Sequence, residues 1–111
     1  MEIVESRAFT KQISELLSDE EYRRFQLTLH DHPEMGVLIK GGGGVRKVRV
    51  GSRSKGKRGG ARVIYYWAVS KHLIALMFAY SKNESEDLTP KQIEGFANLV
   101  RKEFKNESKT V

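Results

Sequence analysis

The sequence predicts a single α+β domain in which helices pack on one face of a small antiparallel sheet. Apolar residues recur at helical spacing near both ends of the chain, whereas three segments between residues 45 and 80 have the alternation or the β-branched and aromatic content of strands. With 111 residues, the chain can build one hydrophobic core and leaves no room for a second. We expect one domain over residues 1–105, with the order β-α-α-β-β-β-α, and a frayed tail over residues 106–111.

The N-terminal part of the chain predicts a strand followed by two helices. Residues 2–5 alternate as in an edge strand, and residues 7–17 carry apolar side chains at helical spacing. Ser18 and Glu21 have the spacing of a capping box, so a second helix is expected to begin there, and Pro33 closes it. The four glycines at positions 41–44 lack the Gly-Lys-Ser/Thr ending of a phosphate-binding loop and lead into a strand, so we interpret them as a flexible connector.

Three strands and a last helix are expected after the glycines. Residues 45–50 alternate strictly, which places Lys47 and Arg49 on one side, and Arg62 opens the next strand. Residues 73–80 are almost wholly apolar and predict an interior strand covered on both faces. A short connection at residues 70–72 makes the last two strands a hairpin. The final helix is expected to begin with Thr89 as its cap and Pro90 in its first turn, and Gln92 completes a second capping box.

The distribution of charge points to a polyanionic partner. The net charge is +6, but nine basic residues and no acidic residue lie between positions 40 and 62, and acids outnumber bases in the rest of the chain. A basic surplus confined to one segment is the footprint of a nucleic-acid contact. The nine basic residues are Lys40, Arg46, Lys47, Arg49, Arg53, Lys55, Lys57, Arg58 and Arg62.

Composition also bounds the classes of site. The chain has no cysteine, which removes disulfides, thiolate metal sites and cysteine nucleophiles and suits a reducing cytoplasm. The longest apolar stretch, residues 73–80, is far shorter than the ~20 residues of a membrane span. The three histidines have no partner at metal-ligand spacing, so neither a metal site nor a histidine-based nuclease is indicated, and no cofactor is expected.

Two segments are the candidate site. Lys47, Arg49 and Arg62 are expected to converge on one side of the sheet, where they repel one another unless a phosphate lies among them. Where the interior strand ends, the chain carries Tyr80, Lys82, Asn83 and Glu84 together, and strand ends are common places for a site. The structural alternatives are a solvated loop that keeps a sheet edge soluble and an ordinary polar strand exit.

The chain resembles the RelE/HigB superfamily of bacterial toxins, specifically its HigB-like branch. The resemblance covers nearly the whole chain, and its strongest pieces are LSDEEYRRFQ (17–26), GGVRKVRV (43–50), SKGKRGGARVIYYW (54–67) and YSKNESEDLT (80–89). It implies a microbial-ribonuclease-like fold, cleavage of mRNA in the ribosomal A site, and neutralisation by a helix-turn-helix antitoxin protein.

The resemblance also implies roles for individual residues. Lys47 and Arg49 match the family's paired cations on the second strand, Arg62 matches the arginine that opens the third, and Lys82 lies at the basic exit of the fourth. Asn83 stands where a second cation is expected, and the tyrosine expected a few residues later is replaced by Leu88 and Thr89, which leaves Tyr80 as a substitute candidate.

The expected chemistry is attack of an RNA 2′-OH on the neighbouring phosphate. Arg49 and Arg62 would stabilise the phosphate charge, Lys47 would be the base because nearby cations favour a neutral lysine, and Lys57 or Lys82 would be the acid. Glu84 is an alternative base. The set expected to contact mRNA and the ribosome consists of Arg46, Arg53, Lys55, Lys57, Arg58, Tyr80 and Asn83.

Two other functions fit the same residues. A toxin of the related ParE type would share the fold and inhibit gyrase without cutting RNA. A plain RNA-binding module would need only the basic loop, and it would bind RNA tightly in a salt-sensitive manner without producing cleavage products.

Overall fold

The computed structural model describes residues 1–52, 60–81 and 88–104. The helices are α1 (Arg7–Leu16), α2 (Asp19–Asp31) and α3 (Pro90–Glu103). The strands are β1 (Glu2–Glu5), β2 (Val37–Leu38), β3 (Arg46–Val50), β4 (Ala61–Ala68) and β5 (Leu73–Ser81). The α+β class and the predicted elements are confirmed. The two-residue strand β2 is an addition to the predicted elements. The expected tail over residues 106–111 lies outside the described residues.

The helices begin where their capping residues dictate. The Ser18 side chain accepts from the Glu21 backbone N–H while the Glu21 side chain accepts from the Ser18 N–H, so two otherwise unpaired donors at the start of α2 are satisfied. Thr89 and Gln92 form the same reciprocal pair at the start of α3, with Pro90 in its first turn. Both capping boxes were predicted from spacing alone, and both are confirmed.

The sheet is mixed, which corrects the prediction of a purely antiparallel one. Its five strands lie in the order β1-β5-β4-β3-β2, and β1 runs parallel to β5 while every other pair is antiparallel. The two strands of this pair are separated by residues 6–72, so no tight hairpin turn joins them and the antiparallel sense is not imposed on them. β1 is an edge strand, as its alternation predicted.

Helices cover both faces of the sheet, which corrects the prediction that they share one. α1 and α2 bury Phe9, Ile13 and Leu29 against a core that includes Val63 and Tyr65. The opposite face of β4 and β5 packs against α3 through a second core, whose members include Ile64, Tyr66, Met77 and Val100. An almost wholly apolar β5 requires this arrangement, because a strand with both faces buried needs a layer on each side.

The glycine run is a closely packed turn and not a merely flexible connector. Gly41, Gly43 and Gly44 all have positive φ angles, a conformation that is unfavourable for residues with a side chain. A Cβ on Gly43 would lie 3.2 Å from the Ala97 Cα on α3. The run therefore lets the chain turn tightly against α3 before β3 begins. Among the described residues, no helix is both long and apolar enough to cross a membrane.

Candidate nucleic-acid interface

The strand register brings the three predicted cations to one face of the sheet. Arg49 on β3 lies directly opposite Arg62 on β4, and Arg62 lies opposite Tyr80 on β5. Lys47 lies opposite Ile64, two residue pairs along the strands from the pair formed by Arg49 and Arg62. Because side chains of directly opposed residues share a face, Lys47, Arg49 and Arg62 all lie on the face that α3 covers in part. This is the placement that the alternation of residues 45–50 predicted.

The cations differ in their access to solvent. Arg49 is exposed, Lys47 is half-buried, and Arg62 is only 8% exposed. Arg49 forms no ion pair with the acidic side chains of the described residues. Like charges directly opposed on neighbouring strands repel one another, and an anion between them would reduce that repulsion. The directly opposed pair Arg49 and Arg62, the arginine row, lies on the same face as Lys47.

Aromatic rings border the cations on the β5 side. The ring of Phe78 lies 6.0 Å from that of Tyr80 and 5.8 Å from that of Phe96 on α3, measured between centroids. Tyr80 is 5% exposed, so its ring face is not open to a nucleobase. A β-bulge on β5 next to the Ile64/Tyr65 register shift puts Phe78 and Tyr80 on this face. The rings of Phe78 and Tyr80 thus lie on the same face as Arg62.

Arg46 lies on the other face, apart from the three cations. It is paired with Tyr65, and its Nη1 donates to the Glu34 carbonyl oxygen at 3.0 Å and to the Gly36 carbonyl oxygen at 2.8 Å. Alternation along β3 separates it from Lys47, so the structure does not bring it into the site. Its contacts brace the chain between α2 and β2, and we remove Arg46 from the expected RNA contacts.

Tyr65 completes that brace from inside the core. Its hydroxyl donates to the Pro33 carbonyl oxygen at 2.7 Å and accepts from the Gly36 N–H at 2.8 Å. Burial raises the pKa of the Tyr65 hydroxyl, and the hydrogen bond from Gly36 opposes that rise in part. The turn that leads into β2 is thus held by one buried hydroxyl and one guanidinium.

The other expected site residues lie outside the described residues. They are Arg53, Lys55, Lys57, Arg58, Lys82, Asn83 and Glu84. Their points of attachment are described: Val50, Ala61 and Ser81 are paired across three strands, one row beyond Arg49 and Arg62. Both segments therefore join the sheet at the end where the arginine row lies.

A groove between α2 and the end of β3 was missed by the sequence analysis. It has a volume of about 380 Å³ and contains Arg24 and Thr28 from α2, Met35, and Arg49 and Val50 from β3. Arg24 and Thr28 are spaced by four, so one face of α2 carries both. That spacing was visible in the sequence, but nothing there showed which strand α2 would face.

Within the described ranges, no three histidine, cysteine or acidic side chains lie close enough to hold a metal ion. His30 and His32 are exposed, and each lies near an acid that is close in sequence, Asp31 and Glu34. Ion pairs this exposed contribute little to stability. These contacts give the histidines no role at the arginine row.

Fold and site together describe a small basic α+β domain in which two arginines lie directly opposite each other on one face of a mixed sheet. The chain matches, over residues 2–111, the family model described as the RelE toxin of the RelE/RelB toxin–antitoxin system, and it belongs to that family. A solved structure of an arginine-to-alanine mutant of Escherichia coli toxin RelE in the free state is similar to it, with a TM-score of 0.59 and 14% sequence identity. The match covers 88% of this chain and 94% of that one, which confirms the fold.

Proposed function

We propose that this RelE-family toxin is an endoribonuclease that cuts mRNA in the ribosomal A site, and that it falls in the HigB-like branch of the family. The observation that carries the proposal is the row in which Arg49 lies opposite Arg62, with Lys47 on the same face. Such a face binds a phosphate and stabilises the charge that grows on it during cleavage. Its partners in the cell would be mRNA, ribosomal RNA and a cognate helix-turn-helix antitoxin, and its place of action the cytoplasm, where translation occurs.

The proposed reaction begins with attack of an RNA 2′-OH on the adjacent phosphate. Arg49 and Arg62 bind the non-bridging oxygens, and Lys47, which lies on the same face, accepts the proton of the attacking hydroxyl. Lys57 or Lys82 protonates the leaving 5′-oxygen. Glu84 is the alternative base. The products are a 2′,3′-cyclic phosphate and a free 5′-hydroxyl; the base ends protonated and the acid deprotonated, and proton exchange with solvent restores both.

Tyr80 has a positioning role in this scheme. The register sets it opposite Arg62, and its ring is buried against Phe78. A ring with so little exposure packs beside the arginine and limits its rotamers, which holds the guanidinium toward the phosphate. We therefore propose that Tyr80 orients Arg62, and we no longer assign it a stacking contact with RNA.

Dependence on the ribosome follows from what the described face offers. Cations bind and polarise a phosphate, but in-line attack also requires the 2′-OH to be held near the phosphorus in a strained backbone, and positioning is worth several orders of magnitude in rate. The A site would supply that geometry. Arg53, Lys55 and Arg58 would contact ribosomal RNA phosphates, and Asn83 would contact the mRNA beside the cut.

The deciding experiment maps RNA ends after brief induction of the toxin. We expect new mRNA 5′-hydroxyl ends in phase with codons, appearing only on translated messages. Purified toxin should cut the same message at least about 100-fold faster on programmed ribosomes than it cuts that message as naked RNA. The same message with its start codon removed is the matched control. Equal cutting of naked and ribosome-bound RNA would refute the ribosome-dependent mechanism.

The competing functions give different products in that experiment. A gyrase inhibitor would cause DNA breaks and leave mRNA intact. A plain RNA-binding module would shift RNA in a binding assay, with an affinity that falls steeply as salt rises, and would yield no new ends. Either result would replace the proposal.

A further inference from the structure

The groove between α2 and the end of β3 is contiguous with the arginine row. Arg49 belongs to both, because it lies opposite Arg62 in the sheet and also lines the groove, whose volume is about 380 Å³. A strand of RNA that is held at Arg49 by one phosphate therefore has this groove beside its neighbouring nucleotide. The volume falls within the roughly 300–1,000 Å³ of ligand sites in proteins.

Hydrogen bonds of the fold hold the acidic side of the groove in place. Ser52 Oγ donates to Glu21 Oε1 at 2.9 Å and so ties the chain that follows β3 to α2. The same carboxylate oxygen accepts from the Ser18 N–H, also at 2.9 Å, in the capping box of α2. Glu21 is thus engaged by two donors of the chain itself, and the groove is formed before any ligand binds.

The floor of the groove is apolar. Phe25, Met35 and Val50 line it; Phe25 is buried, Val50 is half-buried and Met35 is exposed. A nucleobase has apolar faces and polar edges, and single-stranded RNA is recognised through bases that leave the stack and pack on protein surfaces. A phosphate alone would make no contact with this floor, so the lining fits a whole nucleotide.

Arg24 supplies a second cation, from the α2 side of the groove. Its Nη1 lies 3.2 Å from Glu20 Oε1, and the two side chains are 66% and 80% exposed. Because ion pairs this exposed contribute little, an RNA phosphate can replace the carboxylate at the guanidinium. One cation thus comes from β3 and one from α2, which suits two successive phosphates of a single strand.

Thr28 is placed to distinguish one base from another. It lines the groove, and its Oγ1 donates to the Arg24 carbonyl oxygen at 3.0 Å, so the hydroxyl hydrogen is used within α2 and the oxygen keeps its capacity to accept. Adenine and cytosine carry an amino group, a donor, where guanine and uracil carry a carbonyl oxygen, an acceptor. An accepting oxygen therefore favours adenine and cytosine.

We propose that this groove binds the mRNA nucleotide next to the scissile phosphate. The base packs on the apolar floor, its amino group donates to Thr28, and the phosphate on its far side binds Arg24. This inference rests on the nuclease function proposed above. It adds a sequence preference to that function, because a codon with adenine or cytosine beside the cut gains a hydrogen bond that guanine or uracil cannot make.

The first test measures binding of the purified full-length toxin to programmed ribosomes whose A-site codon is 2′-deoxy, so that it cannot be cut. Arg24→Gln should weaken the affinity at least about fivefold and lower the magnitude of its salt dependence by about one phosphate contact. The matched control is Arg23→Gln, which removes the same charge from an exposed neighbour that does not line the groove. It should change the affinity less than about twofold. Thermal unfolding establishes that both variants are folded.

The second test varies each nucleotide of the 2′-deoxy A-site codon in turn. At one position beside the expected cut, the parent toxin should bind adenine or cytosine at least about fivefold more tightly than guanine or uracil, since one hydrogen bond is gained. Thr28→Val keeps the shape of the side chain and removes the accepting oxygen, so it should lose this preference. Thr28→Ser keeps the hydroxyl and should retain it.

Three results would overturn the inference. They are equal affinities of Arg24→Gln and Arg23→Gln, a parent toxin without a base preference, and a preference that survives in Thr28→Val. These measurements need no cleavage, so they stand apart from the test of the proposed function. A toxin that binds in the expected way but leaves the ribose form of the message uncut would retain the subsite and lose the nuclease mechanism. A toxin that cuts RNA without any dependence on Arg24 or Thr28 would do the reverse.

Discussion

Arg46 and Arg49 on β3 have different roles because their side chains lie on opposite faces of the sheet. Arg46 donates two hydrogen bonds to carbonyl oxygens of the chain between α2 and β2, whereas Arg49 is exposed and lies opposite a second arginine. The same residue type thus stabilises the fold at one position and, at the other, forms no ion pair with an acidic side chain of the described residues. Composition could not separate these roles; strand alternation and register do.

This contrast predicts a split between stability and activity. Arg46→Ala should lower the free energy of unfolding by about 1–3 kcal/mol, because two carbonyl groups lose a charged donor. Arg49→Ala should leave the unfolding free energy unchanged or slightly higher, since it removes a like-charge cross-strand pair. Urea denaturation of both variants measures the difference. A larger loss for Arg49→Ala than for Arg46→Ala would contradict the assignment.

The buried hydroxyl of Tyr65 leads to a second prediction at the scale of single residues. Tyr65→Phe should cost about 2 kcal/mol of unfolding free energy, because the buried Gly36 N–H and the Pro33 carbonyl oxygen both lose their partner. Thermal or urea unfolding at neutral pH measures the loss. Tyr22→Phe is a useful comparison, because its hydroxyl donates to Glu5 at a more exposed position and should cost less.

The pKa of Tyr65 adds a dependence on pH. Burial raises that pKa above its usual value of 10.0, so the folded state keeps its proton when the unfolded state loses it. The stabilisation is complete below pH 10 and declines as pH rises above it. Burial and Glu5 raise the pKa of Tyr22 in the same direction. The unfolding free energy of the parent protein should therefore fall as the pH rises above 10, and that of Tyr65→Phe should fall less steeply. Equal slopes of unfolding free energy against pH in the two proteins would contradict this.

At the scale of elements, the starts of the helices were predictable and their placement was not. Ser18 with Glu21 and Thr89 with Gln92 determine where α2 and α3 begin, and these are local signals. An amphipathic stripe shows that a helix buries one face but does not show against which face of the sheet. The continuous apolar run of β5 required a layer on each side, and that constraint placed helices on both faces.

The candidate site was likewise predictable only in part from the sequence. Alternation placed Lys47 and Arg49 on one side of β3, which is a property of any strand and can be seen in the sequence. That Arg62 lies directly opposite Arg49 depends on the register, which the sequence did not determine. The groove between α2 and β3 depends on packing between distant segments, and no local pattern predicts it.

A pair of glycine substitutions tests the account of the turn against α3. Gly43→Ala should destabilise the fold by at least about 1 kcal/mol, because the residue has a φ of +72° and its Cβ would press on the Ala97 Cα. Gly95→Ala, at an exposed position of α3 with nothing within 4 Å of the new Cβ, should stabilise it by about 0.5–1 kcal/mol. In thermal unfolding, we expect the melting temperature to fall in Gly43→Ala and to rise in Gly95→Ala. Two equal shifts would show that the turn is not packed against α3.

At the scale of the whole molecule, basic residues are concentrated in the segment of the sequence that contains Arg49 and Arg62. Nine of the twenty basic residues fall between positions 40 and 62, where there is no acid. Binding to RNA should therefore release counterions, and the logarithm of the ribosome-binding constant should fall linearly with the logarithm of the salt concentration. Arg49→Ala should reduce the magnitude of that slope by about one, because one phosphate contact is lost. Arg7→Ala, on the first turn of α1, should not change it. Equal slopes for all three proteins would remove Arg49 from the interface.

The most direct test of the central claim is the single-turnover rate of mRNA cleavage on programmed ribosomes for Arg49→Ala and Arg62→Ala. If these two side chains stabilise the phosphate as it is cleaved, each substitution should slow the reaction about 100- to 1000-fold in a folded protein, and Arg7→Ala should not slow it. Cleavage at the parent rate in both variants would contradict the account.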